Sequence, residues 1–289
     1  MMIWRKLNKS SLSDAKTFLG SREQYCVSAI SRFKNGAVNN VWAHSDSAKG
    51  SGITALLLYG NRILFPVFNF SPSKIAELNS NYMKLPRFFP FVLRSDSLHA
   101  AQGLAGDMNL LENSLGKKGF IPFASYDYDL LILKLAGDPR KSRGSPPGLL
   151  IRRPEAADAD ALFPLQAGYE TEEVLPPGSM FNPAACRKTI EFLITEKTIL
   201  TAELEGRLVG KININALSFS LFQIGGVYVL PEYRNLGIAH AMTHALIEEM
   251  AFYKKDFTLF VKKKNTPARR VYDSLGFVKI SDYRISYFM

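Results

Sequence analysis

The stretch that decides the fold runs Gly226-Val-Tyr-Val-Leu-Pro-Glu-Tyr-Arg234-Asn-Leu-Gly237-Ile-Ala239. It reads as an apolar strand stopped at Pro231, a short loop holding Gly237, and a helix with Ala239, Met242, Leu246 and Met250 on its apolar face. A strand feeding a helix through such a loop aims unpaired backbone N–H groups and the positive end of a helix at one point. A pyrophosphate suits that point. Gly237 lets the backbone come close to a phosphate, and the small Ala239 leaves the first turn clear.

Working outward, residues 149–153 read as a first strand and 154–167 as a helix. A polar, Pro-containing loop is expected over 168–183, then a helix over 184–195 started by Asn182-Pro183. Strands follow at 198–203 and 208–216, with a turn at Glu205-Gly206 between them. After the strand 222–229 and the helix 238–253 come a strand at 257–261, a short helix at 267–274 and a last strand at 280–288. The alternation predicts a mixed α/β class with one central sheet flanked by helices.

The segment Ala136-Gly-Asp-Pro-Arg-Lys-Ser-Arg-Gly-Ser-Pro-Pro-Gly148 has no apolar period and reads as a linker. It divides the chain into residues 1–135 and 149–289. The first part echoes the second. Thr54 to Phe65 is strand, Gly60 turn, strand, like Thr201 to Val209 around Gly206. Ser114 to Phe120 followed by Tyr126 to Lys134 matches Ser274-Leu-Gly-Phe277 followed by Tyr283 to Tyr287. The shared order predicts one fold used twice.

Bulk properties exclude several classes. At 289 residues with 47% apolar and 21% charged residues, the chain can build ordinary cores without staples. Two distant cysteines, Cys26 and Cys186, support neither a metal site nor a redox pair, and no metal is expected. No apolar run approaches membrane-spanning length and no signal-type core follows the N-terminus, so the expectation is a cytoplasmic protein with no membrane partner. The charge is uneven: 19 Lys and Arg against 10 Asp and Glu in residues 1–148, but 17 against 16 from Leu149 on. The basic residues are scattered and lack an aromatic-interleaved run, which favours a solvated surface over nucleic-acid binding.

The strand–loop–helix resembles the acetyl-CoA loop of the GNAT superfamily of N-acetyltransferases, Arg/Gln-x-x-Gly-x-Gly/Ala, here Arg234-x-x-Gly237-x-Ala239. The segment Lys264-Asn-Thr-Pro-Ala-Arg-Arg-Val-Tyr272-Asp-Ser-Leu-Gly276-Phe277 is similar to that family's second signature. The resemblance covers residues 149–289 and implies a GNAT domain there. The first part is then a degenerate GNAT-like copy or an accessory domain, with no counterpart of the loop: after Phe88 to Leu93 the chain reads Arg94 to Gly103, with no glycine at the start of a helix expected there.

The same resemblance implies roles. Val227, Tyr228 and Val229 would pair with the pantetheine arm, a local splay offering a backbone N–H to the thioester carbonyl. Arg234, Asn235, Leu236, Gly237, Ile238 and Ala239 would cradle the pyrophosphate, and Asn265 would bond the pantetheine or hold the start of its helix. Lys262, Lys263, Lys264, Arg269 and Arg270 would either meet the nucleotide phosphate or form a solvated face. Tyr272 is the candidate acid for the leaving thiolate, since a tyrosine of pKa about 10 carries the needed proton, with packing on the sheet as its alternative. One familiar place of the family's base is Gln223 here, which cannot take a proton; Glu203, Glu172 and Glu173 are the substitutes. His240 and His244 are expected to pack or face solvent.

The expected activity is transfer of an acetyl group from acetyl-CoA to a primary amine, by direct attack in a ternary complex. The acceptor would be an amine-bearing small molecule, protein or peptide. A CoA-binding sensor without turnover is the alternative.

Overall fold

The computed structural model describes residues 4–36, 40–45, 52–81, 83–86, 98–135 and 144–288. The linker residues 136–143 and the stretch 87–97, with the apolar run Phe88 to Leu93, lie outside the described residues. The chain forms two compact units: residues 1–130 with 280–289, and residues 131–279.

In the first unit, strands β1 (Trp4–Lys6), β2 (Asn40–Ser45), β3 (Ile53–Gly60) and β4 (Ile63–Phe68) are joined by antiparallel pairing, and β5 (Ala100–Leu104) runs parallel to β4. Helices α1 (Leu12–Ser21), α2 (Val27–Lys34), α3 (Pro72–Asn81) and α4 (Ala105–Gly116) accompany them. Leu57, Leu64, Ala101, Met108 and Leu111 fill one core of this unit. Strand β6 (Ala124–Leu133) follows α4 along the chain. The chain's last strand also belongs to this unit: Tyr283 to Tyr287 pairs antiparallel with Leu104 to Ala100. Arg284 fastens it through Asp127 at 2.8 Å and Glu112 at 3.1 Å.

In the second unit, β7 (Leu150–Arg152), β8 (Ile199–Leu204), β9 (Arg207–Leu217) and β10 (Leu221–Val229) are antiparallel neighbours, and β11 (Asp256–Lys262) runs parallel to β10. Helices α5 (Ala159–Tyr169) and α6 (Pro183–Thr195) accompany α7 (Ile238–Met250) and α8 (Thr266–Leu275). One core gathers Val209, Ile212, Ile224, Met242, Leu246, Phe257 and Phe277. Another packs Leu162, Leu165, Cys186, Ile190, Ile199 and Tyr228.

Both units therefore run antiparallel, antiparallel, antiparallel, parallel, with a helix after the fourth and fifth strands. The mixed α/β plan used twice is present. Its internal alignment differs from the one read in the sequence. The turn after Gly60 joins β3 to β4 while the turn at Gly206 joins β8 to β9, so the two hairpins are one strand out of step. Both carry positive φ at the two central residues, Asn61 (50°) with Arg62 (62°) and Glu205 (51°) with Gly206 (77°). That is the geometry any tight two-residue hairpin needs, which is why the motif recurs at positions that do not correspond. Nor do Ala100 to Gly103 open a helix; they are strand β5. The real counterpart of β10 is β4. The other echo holds: Phe120 donates to Leu115 after Gly119, as Phe277 donates to Tyr272 after Gly276.

The loop expected over 168–183 is partly helical. α5 reaches Tyr169 and continues as a wide π-turn over Glu170–Val174. Asn182 caps α6 by accepting from the Ala185 N–H at 3.0 Å, with Pro183 in its first turn. Among the described residues no helix is long and apolar enough to cross a membrane.

Candidate functional site

Strand β10 pairs regularly with β11 in its first half. Leu221 to Ile224 pair with Asp256 to Leu259 of β11. On the β9 side the register slips between Gly225 and Tyr228, where three steps of β10 oppose two of β9. Gly226 takes φ +60° there. Such a bulge turns the strand and frees backbone groups from the ladder. Two side chains of β9 require the glycine pair: a Cβ on Gly225 would lie 1.8 Å from Asn215 Nδ2, and one on Gly226 1.8 Å from Asn213 Oδ1. Val227, Tyr228 and Val229 thus leave a bulge.

Beyond Pro231 the loop carries two left-handed residues, Asn235 (φ 65°) and Gly237 (φ 80°). Gly237 is the N-cap of α7, and with no side chain it offers no cap of its own. Ala241 donates to the Gly237 carbonyl, so the N–H groups of Ile238, Ala239 and His240 come before the first helical bond. Behind this loop, α7 buries Ile238, Ala241, Met242 and Leu246. His240 and His244 are buried on α7 as well.

Arg234 does not point its charge freely at this loop. Its Nε donates to the Val229 carbonyl at 3.1 Å, and Nη2 meets both oxygens of Glu172 at 3.1 and 2.8 Å. Glu172 also accepts from the Tyr228 hydroxyl at 2.7 Å. Burial pushes the Glu172 carboxyl up, but the bonds from Tyr228 and Arg234 and the charges of Arg234 and Lys262 outweigh it and hold it below the ordinary value. Tyr228 moves the other way, to about 12, through burial and the adjoining Glu172 charge. Glu173 takes Lys262 at 3.0 Å and Asn265 Nδ2 at 3.3 Å. The acidic turn is thus spent on the residues around β10 and α8.

Asn265 holds the start of its helix. Its Oδ1 caps α8 by accepting from Ala268 N–H at 3.1 Å while its amide reaches Glu173. Of the basic run, Lys262 is tied to Glu173 and Arg269 to Asp273 at 2.8 Å. Tyr272 is buried on α8 against Phe277, with ring centroids 5.8 Å apart. Burial, then the nearby Tyr169 and Glu173, push its hydroxyl well above the usual tyrosine value, so it keeps its proton. Glu203 is engaged by Arg152 at 2.8 Å, which also holds Asp158. Gln223 is buried in β10 opposite Thr258.

Sequence reasoning missed the polar row on β9. Lys211, Asn213 and Asn215 alternate with Ile212 and Ile214, so all three share one face of the strand. Lys211 is 1% exposed, and its Nζ bonds Asn213 Oδ1 at 3.1 Å and the Gly226 carbonyl at 2.9 Å. Asn213 Nδ2 donates to Asn215 Oδ1 at 2.7 Å. Tyr169 covers the row, its ring centre 4.8 Å from Lys211 Nζ. Polar residues in strict alternation on a strand flanked by others were the available signal.

Residues 165–277 match the model of the acetyltransferase (GNAT) family. No curated protein sequence matches the chain. Among solved structures, a Drosophila protein is similar with a TM-score of 0.67 at 14% identity, over 99% of both chains. A GCN5-related N-acetyltransferase from Sphaerobacter thermophilus gives 0.59 at 14%, over 99% of this chain and 94% of that one. A tandem GNAT protein of the clavulanic acid biosynthesis pathway gives 0.57 at 11%, over 99% and 98%. These likenesses extend the GNAT fold over both units.

Proposed function

We propose that this chain, whose residues 165–277 match the GNAT family model, binds acetyl-CoA at the β10–α7 turn and transfers the acetyl group to a primary amine. One observation carries the reading: an uncapped helix start, two left-handed loop residues and a bulged strand lie in succession over residues 225–239. Each element has a use. The N–H groups of residues 235–239 and the positive end of α7 suit a pyrophosphate. Arg234, held by Glu172 and Val229, braces the loop from behind, so backbone groups rather than its guanidinium meet the phosphates. Val227 to Val229 follow the bulge and offer backbone to an extended pantetheine arm.

The chemistry follows from charge. Attack of a neutral amine on a thioester builds negative charge on the carbonyl oxygen, and a backbone N–H released by the bulge can stabilise it. Breaking the C–S bond yields a thiolate, and Tyr272, whose hydroxyl stays protonated, can supply its proton. The acceptor is an amine of a small molecule, peptide or protein. The reading is tested by calorimetry with CoA and by CoA release from acetyl-CoA across an amine panel. Saturable binding with amine-dependent release is expected. A folded protein that does not bind CoA would overturn the reading.

A further inference from the structure

The candidate carboxylates are all spoken for: Glu172 by Arg234 and Tyr228, Glu173 by Lys262 and Asn265, Glu203 by Arg152. Gln223 cannot take a proton. A transfer to an amine still needs an acceptor for the proton that the nucleophile sheds. On the β9 row beside the bulge lies a nitrogen base.

We propose that Lys211, presented as a neutral amine at the Gly226 bulge, is the general base that takes the proton from the attacking amine. The inference rests on the acyltransferase reading above. The contacts of Nζ accommodate a neutral amine. Both bonds of Nζ go to acceptors, Asn213 Oδ1 and the Gly226 carbonyl. The orientation of Asn213 is fixed because its Nδ2 is used by Asn215 Oδ1. A neutral amine has two N–H donors and one lone pair, so these two bonds consume the donors and leave the lone pair. An ammonium would have only the Tyr169 ring face for its third donor, without a carboxylate within ion-pair distance among the described residues.

The surroundings are named from each packed element. Tyr169 of α5 lies over the amine, Glu170 follows it, Cys186 comes from α6, and Tyr228 is the cross-strand neighbour on β10. The Glu170 carboxylate is bonded to Gln166 Nε2 at 2.8 Å rather than to Lys211. Burial lowers Lys211 to about 7, against the opposing charges of Glu170 and Cys186. A base poised there is half-titrated near neutral pH. The row reaches solvent at the exposed Asn215, a polar track from outside to the bulge.

The balance is simple. The amine nitrogen forms a bond to the thioester carbon and passes one proton to Lys211 Nζ. The C–S bond breaks, and the thiolate takes its proton from Tyr272. Solvent exchange returns a proton from the Lys211 ammonium to the Tyr272 phenolate. Amine and thioester have become amide and thiol.

The test uses the full chain and two readouts. Nitrogen-15 NMR of lysine-labelled protein, assigned with Lys211→Met, should show one side-chain amine titrating at about 7. An ammonium persisting to about pH 9 at this position overturns the proposal. In turnover assays, Lys211→Met should lower kcat by roughly 10²–10⁴-fold with CoA affinity unchanged. Asn213→Asp, which places a carboxylate on Nζ, should move the acid limb of the rate profile to higher pH. A Lys211→Met enzyme that keeps wild-type turnover and acid limb overturns the proposal, as does an acetyl group found on Lys211 as a turnover intermediate. CoA calorimetry on the same samples separates the two claims: lost binding in the wild type indicts the acyltransferase reading, whereas intact binding with indifferent Lys211 variants indicts only the base.

Discussion

The two units use the same strand plan and treat the same turn differently. After β10 the chain enters α7 through Gly237, which brings no capping side chain. After β4 it enters α3 through Ser71-Pro72, where the Ser71 hydroxyl accepts from Lys74 N–H at 3.2 Å. Pro72 has no N–H to offer. One helix start has no side-chain cap for its donors, and the other spends a side chain on one of them. The neighbouring strands differ in the same sense. A Cβ on Gly103 of β5 would stand 3.0 Å from the Pro66 carbonyl, so β4 and β5 are in close approach there. In that place Asp107 of α4 accepts from Phe68 N–H at 3.0 Å, and burial raises its pKa to about 7. A fold used twice can thus keep its strand plan and differ at the same turn by a cap, a proline and a carboxyl.

The sharpest way to break that contrast is a charge on each helix start. Gly237→Glu, which adds bulk and a negative charge at φ +80°, should weaken CoA by at least ~100-fold, about 3 kcal/mol. Ser71→Glu at the corresponding turn should leave calorimetric affinity and stoichiometry untouched. Equal losses in both variants, each folded by circular dichroism, would erase the distinction between the units.

Next in size is Tyr272→Phe. It should cut turnover by roughly 10²–10⁴-fold while CoA affinity stays put. Wild-type turnover across the pH range would assign Tyr272 to packing against Phe277.

Asp107 provides a pH handle on the first unit alone. Its carboxyl is protonated when folded up to about 7 but ionises near 3.8 when unfolded. The folded state therefore holds the extra proton between these values, and stability falls as pH rises through that window. Asp107→Asn should flatten the fall and raise the unfolding temperature at about pH 8, by ~2–4 °C per kcal/mol recovered. A variant with an unchanged pH dependence would show that Asp107 is not the titrating group.

The smallest effects compare glycines. Gly226→Ala meets Asn213 at 1.8 Å and a left-handed backbone, and should destabilise by about 1–3 kcal/mol. Gly106 lies within α4 with nothing near its missing Cβ, so Gly106→Ala should gain ~0.5–1 kcal/mol. Denaturant titration reads both; equal effects would remove the packing argument for the bulge.

Much of the second unit was legible because its signals are local. Strand, Pro231, Gly237 and amphipathic helix are consecutive residues, and the Asn265 cap and Gly276 turn are set by neighbours within a few positions. The internal repeat was legible as a plan but misaligned in detail. Two-residue turns recur wherever hairpins do, and the true counterpart of the turn into α7, Ser71-Pro72, has no resemblance in sequence to Arg234–Ala239. The acidic turn was read as part of a polar loop, and folding closed it on Arg234, Tyr228, Lys262 and Asn265.

By itself, then, the order of residues determined the mixed α/β class, the repeated plan and the place of the Gly237 turn into α7, since period, capping and turn chemistry act over a few bonds. Tertiary structure alone decided which charges remain available and which strand completes which sheet. Glu172 reaches Arg234 across 62 positions, Lys211 meets Gly226 across 15, and Tyr283 to Tyr287 pair with a strand that ended at Leu104. Burial and partners at such separations set protonation and pairing, and no local pattern encodes them.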